Sequence, residues 1–307
     1  MNKKVAIILI NWNSFNYTSD CINSIRQIQY PDYDIIVVDN GSTDQSIEKF
    51  NHHFKDSIIL IQSDKNTGFT GGNNIGMQYT IDHQYEYCLL LNNDTFVDKN
   101  FLGPMIEYMK QNTHTGALQP RIHFNHDRSL LWNGGSCFNK LLGLTYVKNY
   151  GRSFELRMNK IKKVDWITGC AFLVRTTVLQ QCGLLAENMF IYYEDVDLSF
   201  RIKKAGYDLV YFPQSVIYHI SGMANKNKIK GKEGYVNPIV HYLNIRNTIW
   251  FLKQYTSAGY SPTVILFNFF YLTALIGYFA VRLRFTKLKI VLKAIKDGLK
   301  GHIIYQQ

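Results

Sequence analysis

The sequence lacks the features that mark disulfide-rich, zinc-binding and secreted proteins. Its five cysteines are scattered and odd in number, with no C-x-x-C pair and no Cys/His cluster. A disulfide framework or a zinc site is therefore not expected, and a reducing compartment is favoured. The apolar run near the start, Val5 to Ile10, is shorter than the core of a usual signal peptide and is interpreted as a buried strand. We expect the catalytic part of the chain to stay in the cytoplasm.

A shortage of acidic residues leaves the chain strongly basic. Lysine and arginine number 34 against 23 aspartates and glutamates, which gives a formal net charge of +11. Charged residues are only 19% of the chain and hydrophobic residues 46%, a balance that excludes an intrinsically disordered protein. The 307 residues suit one large domain or two modest ones. The charge predicts an anionic partner: nucleic acid, a phosphorylated substrate or an acidic lipid surface.

Much of the basic excess lies near the end of the chain. An almost uncharged run over 262–281 is long enough to cross a bilayer, and the stretch that follows intersperses apolar residues among seven lysines and arginines. One interpretation is a buried helix followed by a solvated basic one. We favour a membrane-associating region that lies on an anionic surface rather than spanning it, with the basic segment on the cytoplasmic side.

The first half alternates short apolar runs with helix-like segments. The runs predicted as strands are 5–10, 34–39, 57–62 and 87–92, and the segments predicted as helices lie near 16–27, 44–53 and 72–83. This pattern predicts an α/β fold with a mostly parallel sheet covered on both faces. A polar cluster follows every one of these strands. Because ligands bind at the carboxyl ends of such strands, we expect the clusters to form one site.

Three features of these clusters suggest a nucleotide ligand. Asp39 follows its strand directly, as a carboxylate that contacts a ribose or a base would. The loop over 66–76 is rich in glycine and asparagine and could turn backbone N–H groups toward an anion, although a plain tight turn is the alternative. It matches neither the dinucleotide-binding nor the P-loop pattern. Asp94 closes the fourth strand, where a carboxylate beside a diphosphate suits Mg²⁺ or Mn²⁺.

The second half adds acids and a histidine. Glu194, Asp195 and Asp197 lie within four positions at the predicted start of a short helix, and their repulsion should raise one pKa. A helix cap with a surface acid is the alternative. His219 lies near the end of a later predicted strand, where a structural role is equally open. The glycine- and lysine-rich loop over 222–234 could close over a diphosphate.

Taken together, these motifs resemble the family 2 glycosyltransferases with the GT-A fold, and most of all their bacterial rhamnosyltransferase-like branch. The matching segments occur in family order and span about residues 4–222: ILINWNS, VVDNGSTD, NTGFTGGNNIG, LLLNND, WITGCAFLVR, YYEDVDLSFR and VIYHISG. The resemblance implies a GT-A catalytic domain over 1–222, a Rossmann-like nucleotide-diphospho-sugar transferase fold. Residues 223–307 would form a flexible loop and a C-terminal helical region that faces the acceptor and associates with the membrane.

The resemblance also implies roles for individual residues. Asp94 and His219 would hold the divalent metal, Mg²⁺ or Mn²⁺, and Asp195 would be the general base. Trp166 and Glu194 would border the acceptor. The sequence departs from the family's D-x-D motif at Asn92 and Asn93, so one acid remains and a lower metal affinity is expected. The residues that would line the nucleotide pocket are Asn11, Asp39, Asn66, Gly68, Asn74 and Asn93.

The function implied is an inverting, metal-assisted glycosyltransferase of bacterial surface-polysaccharide synthesis, attached peripherally to the inner face of the cell membrane. Its donor would be dTDP-rhamnose or, as a close second, a UDP-hexose, and its acceptor a saccharide, most simply a lipid-linked one. The anionic partners would then be a sugar nucleotide and a membrane, not nucleic acid; nothing in the sequence indicates an oligomeric state. Two alternatives stay open: a nucleotidyltransferase acting on sugar phosphates, and a non-catalytic basic membrane-binding protein.

Overall fold

A computed structural model describes residues 5–221 and 233–305 of the chain. The strands are β1 (Val5–Asn11), β2 (Tyr33–Asn40), β3 (Ile59–Ser63), β4 (Tyr87–Leu91), β5 (Thr95–Val97), β6 (Thr115–Phe124), β7 (Leu131–Asn133), β8 (Ser136–Asn139), β9 (Leu144–Val147), β10 (Lys162–Lys163), β11 (Ala171–Arg175) and β12 (Asp208–His219). The helices are α1 (Phe15–Ile25), α2 (Ser46–Phe54), α3 (Gly68–Asp82), α4 (Leu102–Gln111), α5 (Thr176–Cys182), α6 (Glu194–Lys204), α7 (Pro238–Tyr255), α8 (Ser261–Val281) and α9 (Phe285–Lys300).

The first half forms the parallel part of one large sheet. Strand β1 pairs in parallel with both β2 and β4, and β2 pairs in parallel with β3. The residues of β1 and β4 are almost all buried, which is why these strands are apolar along their whole length and not alternating. The predicted strands and helices of this half are confirmed, with shifts of a few residues at their ends.

The second half makes the sheet mixed. Strand β11 lies between β4 and β6 and is antiparallel to both, whereas β12 is parallel to β6. The prediction of a mostly parallel sheet therefore holds only for the first half. The later strand predicted to end near His219 is the long strand β12, whose register shifts between Phe212 and Val216. The short strand β5 pairs with the end of β12, so that His219 lies opposite Thr95.

Helices cover both faces of the sheet, as predicted. One core contains Ile22 of α1, Phe50 of α2 and Met105 of α4, and the other contains Met77 of α3 and Ile202 of α6, each fully buried. Helix α3 lies especially close to β1: a β-carbon at Gly76 would come within 2.6 Å of the side chain of Ile8. This close packing fixes the start of α3 relative to the strand ends.

The three last helices form a separate layer. A small core of Ile245, Phe279, Val291 and Ala294 joins α7, α8 and α9. Among the described residues α8 is the one helix long and apolar enough to cross a membrane. Only 11% of its most apolar stretch of 18 residues is buried in the protein. A core helix would be mostly buried, so α8 exposes an apolar surface to its surroundings. The predicted loop over 222–234 lies, apart from its last two residues, outside the described part of the chain.

The end of the chain returns to helix α6. The hydroxyl of Tyr255 donates to Asp197 Oδ1 at 2.6 Å, and that of Tyr305 donates to the same oxygen at 2.8 Å. Arg201 pairs with the other oxygen of this fully buried carboxylate at 2.9 Å. Of the three neighbouring acids noted in the sequence, Asp197 thus joins helix α6 to the C-terminal segment.

We expect Asp197→Ala to lower the free energy of unfolding by ~3–5 kcal/mol, because Arg201 would keep a buried charge without its carboxylate. The matched control is Asp208→Ala. Asp208 pairs at 2.7 Å with Lys163, whose side chain is 74% exposed, so its loss should cost no more than ~1 kcal/mol. Urea denaturation of both variants makes the comparison. Equal losses would contradict the role assigned to the Asp197 cluster.

Candidate functional site

A cavity of about 610 Å³ opens at the carboxyl ends of β1, β2 and β4. Its volume lies within the usual range for small-molecule sites, and its position is the one that open α/β sheets use for ligands. The polar clusters that follow the strands meet here, as the sequence predicts. The lining residues are Ile10, Trp12, Asn13, Ser14, Tyr17, Asn40, Asn66, Gly68, Phe69, Leu91, Asn92, Asn93, Asp94, Phe190 and Ile191.

The predicted nucleotide-pocket residues divide into two groups. Asn66, Gly68 and Asn93 line the cavity. Asn11 and Asp39 are fully buried and lie outside the lining. Asn11 and Asp39 therefore lie behind the cavity wall and do not form it.

Asn11 and Asp39 hold the loops after β1 and β2 together. Asn11 Nδ2 donates to Asp39 Oδ2 at 2.8 Å, and the backbone N–H of Ser42 donates to Asp39 Oδ1 at 2.9 Å. Asn11 Oδ1 accepts from the hydroxyl of Thr18 at 2.8 Å. Every polar atom of the two side chains thus has a protein partner, as buried groups require.

Two further asparagines act in the same way. Asn74 is 4% exposed; its amide donates to the carbonyl of Leu185 at 2.8 Å and accepts from the N–H of Leu185 at 2.9 Å. It therefore joins helix α3 to the segment before α6 and is not a lining residue. Asn93 donates at 2.8 Å to both Ser14 and Thr18, which fixes its side chain at the edge of the cavity.

Asn40 is a lining residue that the sequence analysis missed. Its Nδ2 donates to the carbonyl of Gly68 at 2.9 Å, and its Oδ1 accepts from the N–H and the hydroxyl of Thr67 at 3.0 and 2.8 Å. It thereby holds the start of helix α3 against the end of β2. Its position directly after Asp39 in the motif VVDNGSTD was the available signal.

Gly68 is required by its backbone and by its neighbour. Its φ of +78° lies in the left-handed region, which glycine adopts without strain. A β-carbon there would come within 2.5–2.7 Å of the ring and the carbonyl oxygen of Phe190. Helix α3 can therefore approach the segment before α6 only because this residue has no side chain.

Asp94 and His219 form a largely buried pair beside the cavity. Asp94 Oδ1 lies 3.0 Å from His219 Nε2, and the two side chains are 12% and 7% exposed. The ring of Trp132 packs edge-on against the imidazole, with 4.6 Å between ring centres. Burial by itself lowers the pKa of His219, but its neighbours, Cys170 and the Asp94 carboxylate, outweigh this and raise the pKa to about 10.

The donor set of this pair fits a divalent cation. A carboxylate oxygen and an imidazole nitrogen 3.0 Å apart are close enough to bind one ion together. Within residues 5–221 and 233–305, no group of three His, Cys, Asp or Glu side chains could hold a metal. Two protein ligands still suit Mg²⁺ or Mn²⁺, since Mg²⁺ in particular usually keeps waters and binds substrate phosphates. The D-x-D motif would place an acid before Asp94, but this chain has Asn92 and Asn93 there. Asp94 is therefore the single carboxylate of the motif.

Asp195 reaches the same region through the loop Gly169–Cys170. Strand β11 pairs with β4, and the N–H of Asn92 donates to the carbonyl of Cys170 at 2.9 Å. The N–H of Gly169 donates to Asp195 Oδ2 at 2.8 Å. Burial raises the pKa of the Cys170 thiol, and Asp94 and Asp195 both raise it further. Asp195 bonds to this loop, and Asp94 and His219 lie close enough to influence its Cys170.

The surroundings of Asp195 make it a stronger base than an ordinary aspartate. It lies at the start of helix α6, where the N–H of Val196 donates to its Oδ1 at 2.8 Å. Burial raises its pKa to about 6, although this bond and the one from Gly169 lower it. Asp195 does not line the cavity itself; Phe69, which does, packs against Gly169, the residue whose N–H donates to Asp195.

Neither of the two predicted acceptor residues lines the cavity. Glu194 is 4% exposed, and its Oε2 has no hydrogen-bond partner among the described residues. Burial and the charge of Asp195 raise the pKa of Glu194 well above its usual value. The indole of Trp166 donates to the carbonyl of Cys137 at 3.0 Å, and this holds it against the hairpin β8–β9.

The segment before α6 has an unusual backbone that the sequence did not indicate. Phe190, Tyr192 and Tyr193 have φ values of 68°, 75° and 69°. The N–H of Ile191 donates to the carbonyl of Met189 at 2.8 Å, so Phe190 is the centre of a γ-turn with positive φ. Non-glycine residues in such conformations cost ~1–3 kcal/mol each and persist only where neighbours enforce them. Because Phe190 and Ile191 line the cavity, this strained segment shapes the site.

Comparison with known proteins gives a family and a fold. The model of glycosyl transferase family 2 matches residues 6–183, more than half of the chain. The solved structure of GalNAc-T7 with UDP, GalNAc and Mn²⁺ aligns with a TM-score of 0.61 at 12% identity, over 82% of this chain and 48% of that one. At that identity the likeness concerns the fold alone, which is the predicted GT-A fold.

Two curated proteins match at moderate identity. The chain is 26% identical over 205 residues to the low-salt glycan biosynthesis hexosyltransferase Agl10 of Haloferax volcanii, covering 65% of this chain and 62% of that protein. It is 25% identical over 221 residues to the poly-beta-1,6-N-acetyl-D-glucosamine synthase of Staphylococcus epidermidis, covering 70% and 49%. The matches thus span about half to three fifths of the length of these relatives.

We expect Gly68→Ala to destabilise the fold more than the control Gly151→Ala. Both glycines have positive φ, +78° and +69°, so alanine should cost ~1–2 kcal/mol of backbone strain at either. A β-carbon at position 151 would meet no atom within 4 Å. A β-carbon at position 68 would overlap Phe190, and this overlap should add ~1–3 kcal/mol of destabilisation. Denaturant unfolding measures the difference. Equal destabilisation would show that the contact with Phe190 does not constrain the site.

Proposed function

The chain belongs to glycosyl transferase family 2, and we propose that it transfers a sugar from a nucleotide-diphosphate donor to a hydroxyl of a saccharide acceptor. The observation that carries this proposal is the pair Asp94–His219 beside a cavity of nucleotide size, one loop away from Asp195. The names of the relatives, a glycan-biosynthesis hexosyltransferase and a polysaccharide synthase, support a role in cell-surface polysaccharide synthesis.

The nucleotide would occupy the cavity at the ends of β1, β2 and β4. Asn66, Gly68 and Asn93 would contact it directly, and Asn11 and Asp39 would hold the wall behind them. The donor proposed first is dTDP-rhamnose, from the resemblance to the rhamnosyltransferase-like branch, and a UDP-hexose is the second. The two differ in the base and in the sugar, so nucleotide binding separates them.

Asp94 Oδ1 and His219 Nε2 would hold Mg²⁺ or Mn²⁺. When bound, the ion supplies positive charge that stabilises the departing diphosphate. To ligate it, His219 would present an unprotonated Nε2, because only a neutral imidazole nitrogen can bind a metal. With Asp94 as the single carboxylate, we propose that the donor diphosphate contributes to holding the ion.

Asp195 would act as the general base. It would accept the proton of the acceptor hydroxyl while the acceptor oxygen bonds to the anomeric carbon and the bond from that carbon to the diphosphate oxygen breaks. The N–H groups of Gly169 and Val196 hold its two oxygens in place for this step. A single base on the face opposite the leaving group implies inversion at the anomeric carbon. Phe69 and Phe190 would exclude water from the reacting centre.

Residues 1–222 would form the catalytic domain and 223–307 the acceptor-side, membrane-associating region. Trp166 and Glu194 would border the acceptor next to Asp195. The exposed apolar surface of α8 and the lysines of α9 suit an anionic membrane, and a lipid-linked saccharide would be reached from its surface. The protein would then lie on the inner face of the cell membrane, attached peripherally.

We expect Asp195→Asn to lower the rate of transfer by ~10²–10⁴-fold. Nucleotide should still raise the melting temperature of this variant as it does that of the wild type. Since the base must be ionised and burial raises its pKa to about 6, the wild-type rate should fall tenfold per pH unit below about 6 and stay level above it. The control Asp208→Asn should transfer normally. Full transfer by Asp195→Asn would exclude Asp195 as the base, and a wild type without transfer would favour a non-catalytic membrane binder.

We expect the protein to sediment with vesicles that contain anionic lipid, more weakly at high salt. Replacing Phe269 and Phe270, which are 61% and 62% exposed on α8, with serine should weaken binding at least about tenfold, because two aromatic side chains no longer leave water. Tyr146→Ser with Tyr150→Ser removes two exposed aromatics elsewhere and is the matched control. Equal binding by both double variants would contradict attachment through α8.

A further inference from the structure

The strained segment 188–193 cannot satisfy its own backbone. Its first two residues end a 3-10 turn over Glu187–Met189, helix α6 follows it, and three of its residues have positive φ. The carbonyl of Met189 accepts the γ-turn bond, and that of Tyr193 accepts from the N–H of Asp197 in helix α6. Among the described residues, the carbonyls of Asn188, Phe190, Ile191 and Tyr192 join no helix or strand ladder. Buried carbonyls of this kind need partners from elsewhere in the molecule.

Asn247 of helix α7 supplies most of these partners. Its side chain is fully buried, and its Nδ2 lies 3.0 Å from the carbonyl oxygens of both Met189 and Ile191 and 2.8 Å from that of Tyr192. Its Oδ1 accepts from Arg246 Nε at 3.0 Å. Carbonyls on one side and a guanidinium on the other fix the orientation of the amide. Both amide protons are thus shared among three carbonyls of one segment.

The remaining carbonyls of the segment are held from two sides. Arg246 Nη2 donates to the carbonyls of Asn188 and Met189 at 2.9 and 3.1 Å. From the opposite side, the N–H of Thr70 on helix α3 donates to the carbonyl of Phe190 at 3.1 Å. The five carbonyls over 188–192 are therefore all bound by groups on α3 or α7. The segment is clamped between the helix that begins at the cavity and the helix that follows the catalytic fold.

We propose that Asn247 is a positioning residue, which holds the segment 188–193 so that Phe190 and Ile191 complete the cavity wall and helix α6 presents Asp195. It does not touch the reacting atoms. The inference rests on the proposed function for its catalytic consequence, but the clamp itself is independent of the reaction. Arg246 assists it by binding the same segment and the oxygen of the Asn247 amide.

The test compares Asn247→Ala with Asn244→Ala, a matched control on the same helix. The amide of Asn244 donates at 2.9 Å to the carbonyl of Val240, within its own helix. Hydrogen exchange of segment 188–193, nucleotide-induced thermal shift, and kcat and KM for transfer are measured for both variants and the wild type, well below the melting temperature. If Asn247→Ala yields too little folded protein, Asn247→Ser keeps one small donor and takes its place.

In Asn247→Ala we expect exchange to accelerate in segment 188–193 and not in the central strands, and kcat to fall about 10²-fold, since small misplacements of reacting groups cost that much. KM for the donor should rise by no more than a few fold, because the rest of the cavity is intact. Asn244→Ala should match the wild type in all three. Unchanged exchange and kcat, or exchange that rises throughout the protein, would overturn the proposal. If the wild type shows no transfer but Asn247→Ala still accelerates hydrogen exchange in segment 188–193, the proposed function is refuted. The role of Asn247 in holding the segment would then still stand.

Discussion

The antiparallel pairing of β11 with β4 is the interaction on which the site depends. It places the loop Gly169–Cys170 beside Asn92. The N–H of Gly169 donates to Asp195, and Cys170 lies next to His219. Without it, the acid after the fourth strand and the acid at the start of α6 would belong to separate parts of the chain. The pairing of β5 with β12 has a similar effect, because it carries His219 to within 3.0 Å of Asp94.

Side-chain amides hold the loops around this centre. Asn11, Asn40, Asn74 and Asn93 each donate to a neighbouring loop or helix, and Asn247 extends the same device to the segment before α6. An asparagine offers a donor and an acceptor at fixed spacing, so it can satisfy two backbone or side-chain groups at once. The cavity is therefore bounded by loops of low regularity whose polar groups are nonetheless paired.

The parallel half of the fold could be predicted from the sequence because its strands are apolar along their length and each is followed by polar residues. Asp94 and His219 could be placed at strand ends for the same reason. Asp195 could be placed at the start of a helix because acidic residues cluster there, before a segment with basic residues near its end. The division of the asparagines into lining and supporting residues could not, because it depends on which way each side chain turns. Nor could the γ-turn at Phe190, since an aromatic residue gives no local signal for positive φ. Asn247 acts on backbone more than fifty residues away, a contact that no local pattern encodes.

We propose that Asp94 and His219 make the cavity a site for a nucleotide diphosphate and a divalent cation. A thermal-shift series with UDP, dTDP and GDP, each with and without Mn²⁺, tests this proposal. We expect one nucleotide to stabilise the wild type more strongly with Mn²⁺ than without, and Asp94→Ala to remove the Mn²⁺-dependent part. Stabilisation by no nucleotide, or an Mn²⁺ effect that survives in Asp94→Ala, would contradict it.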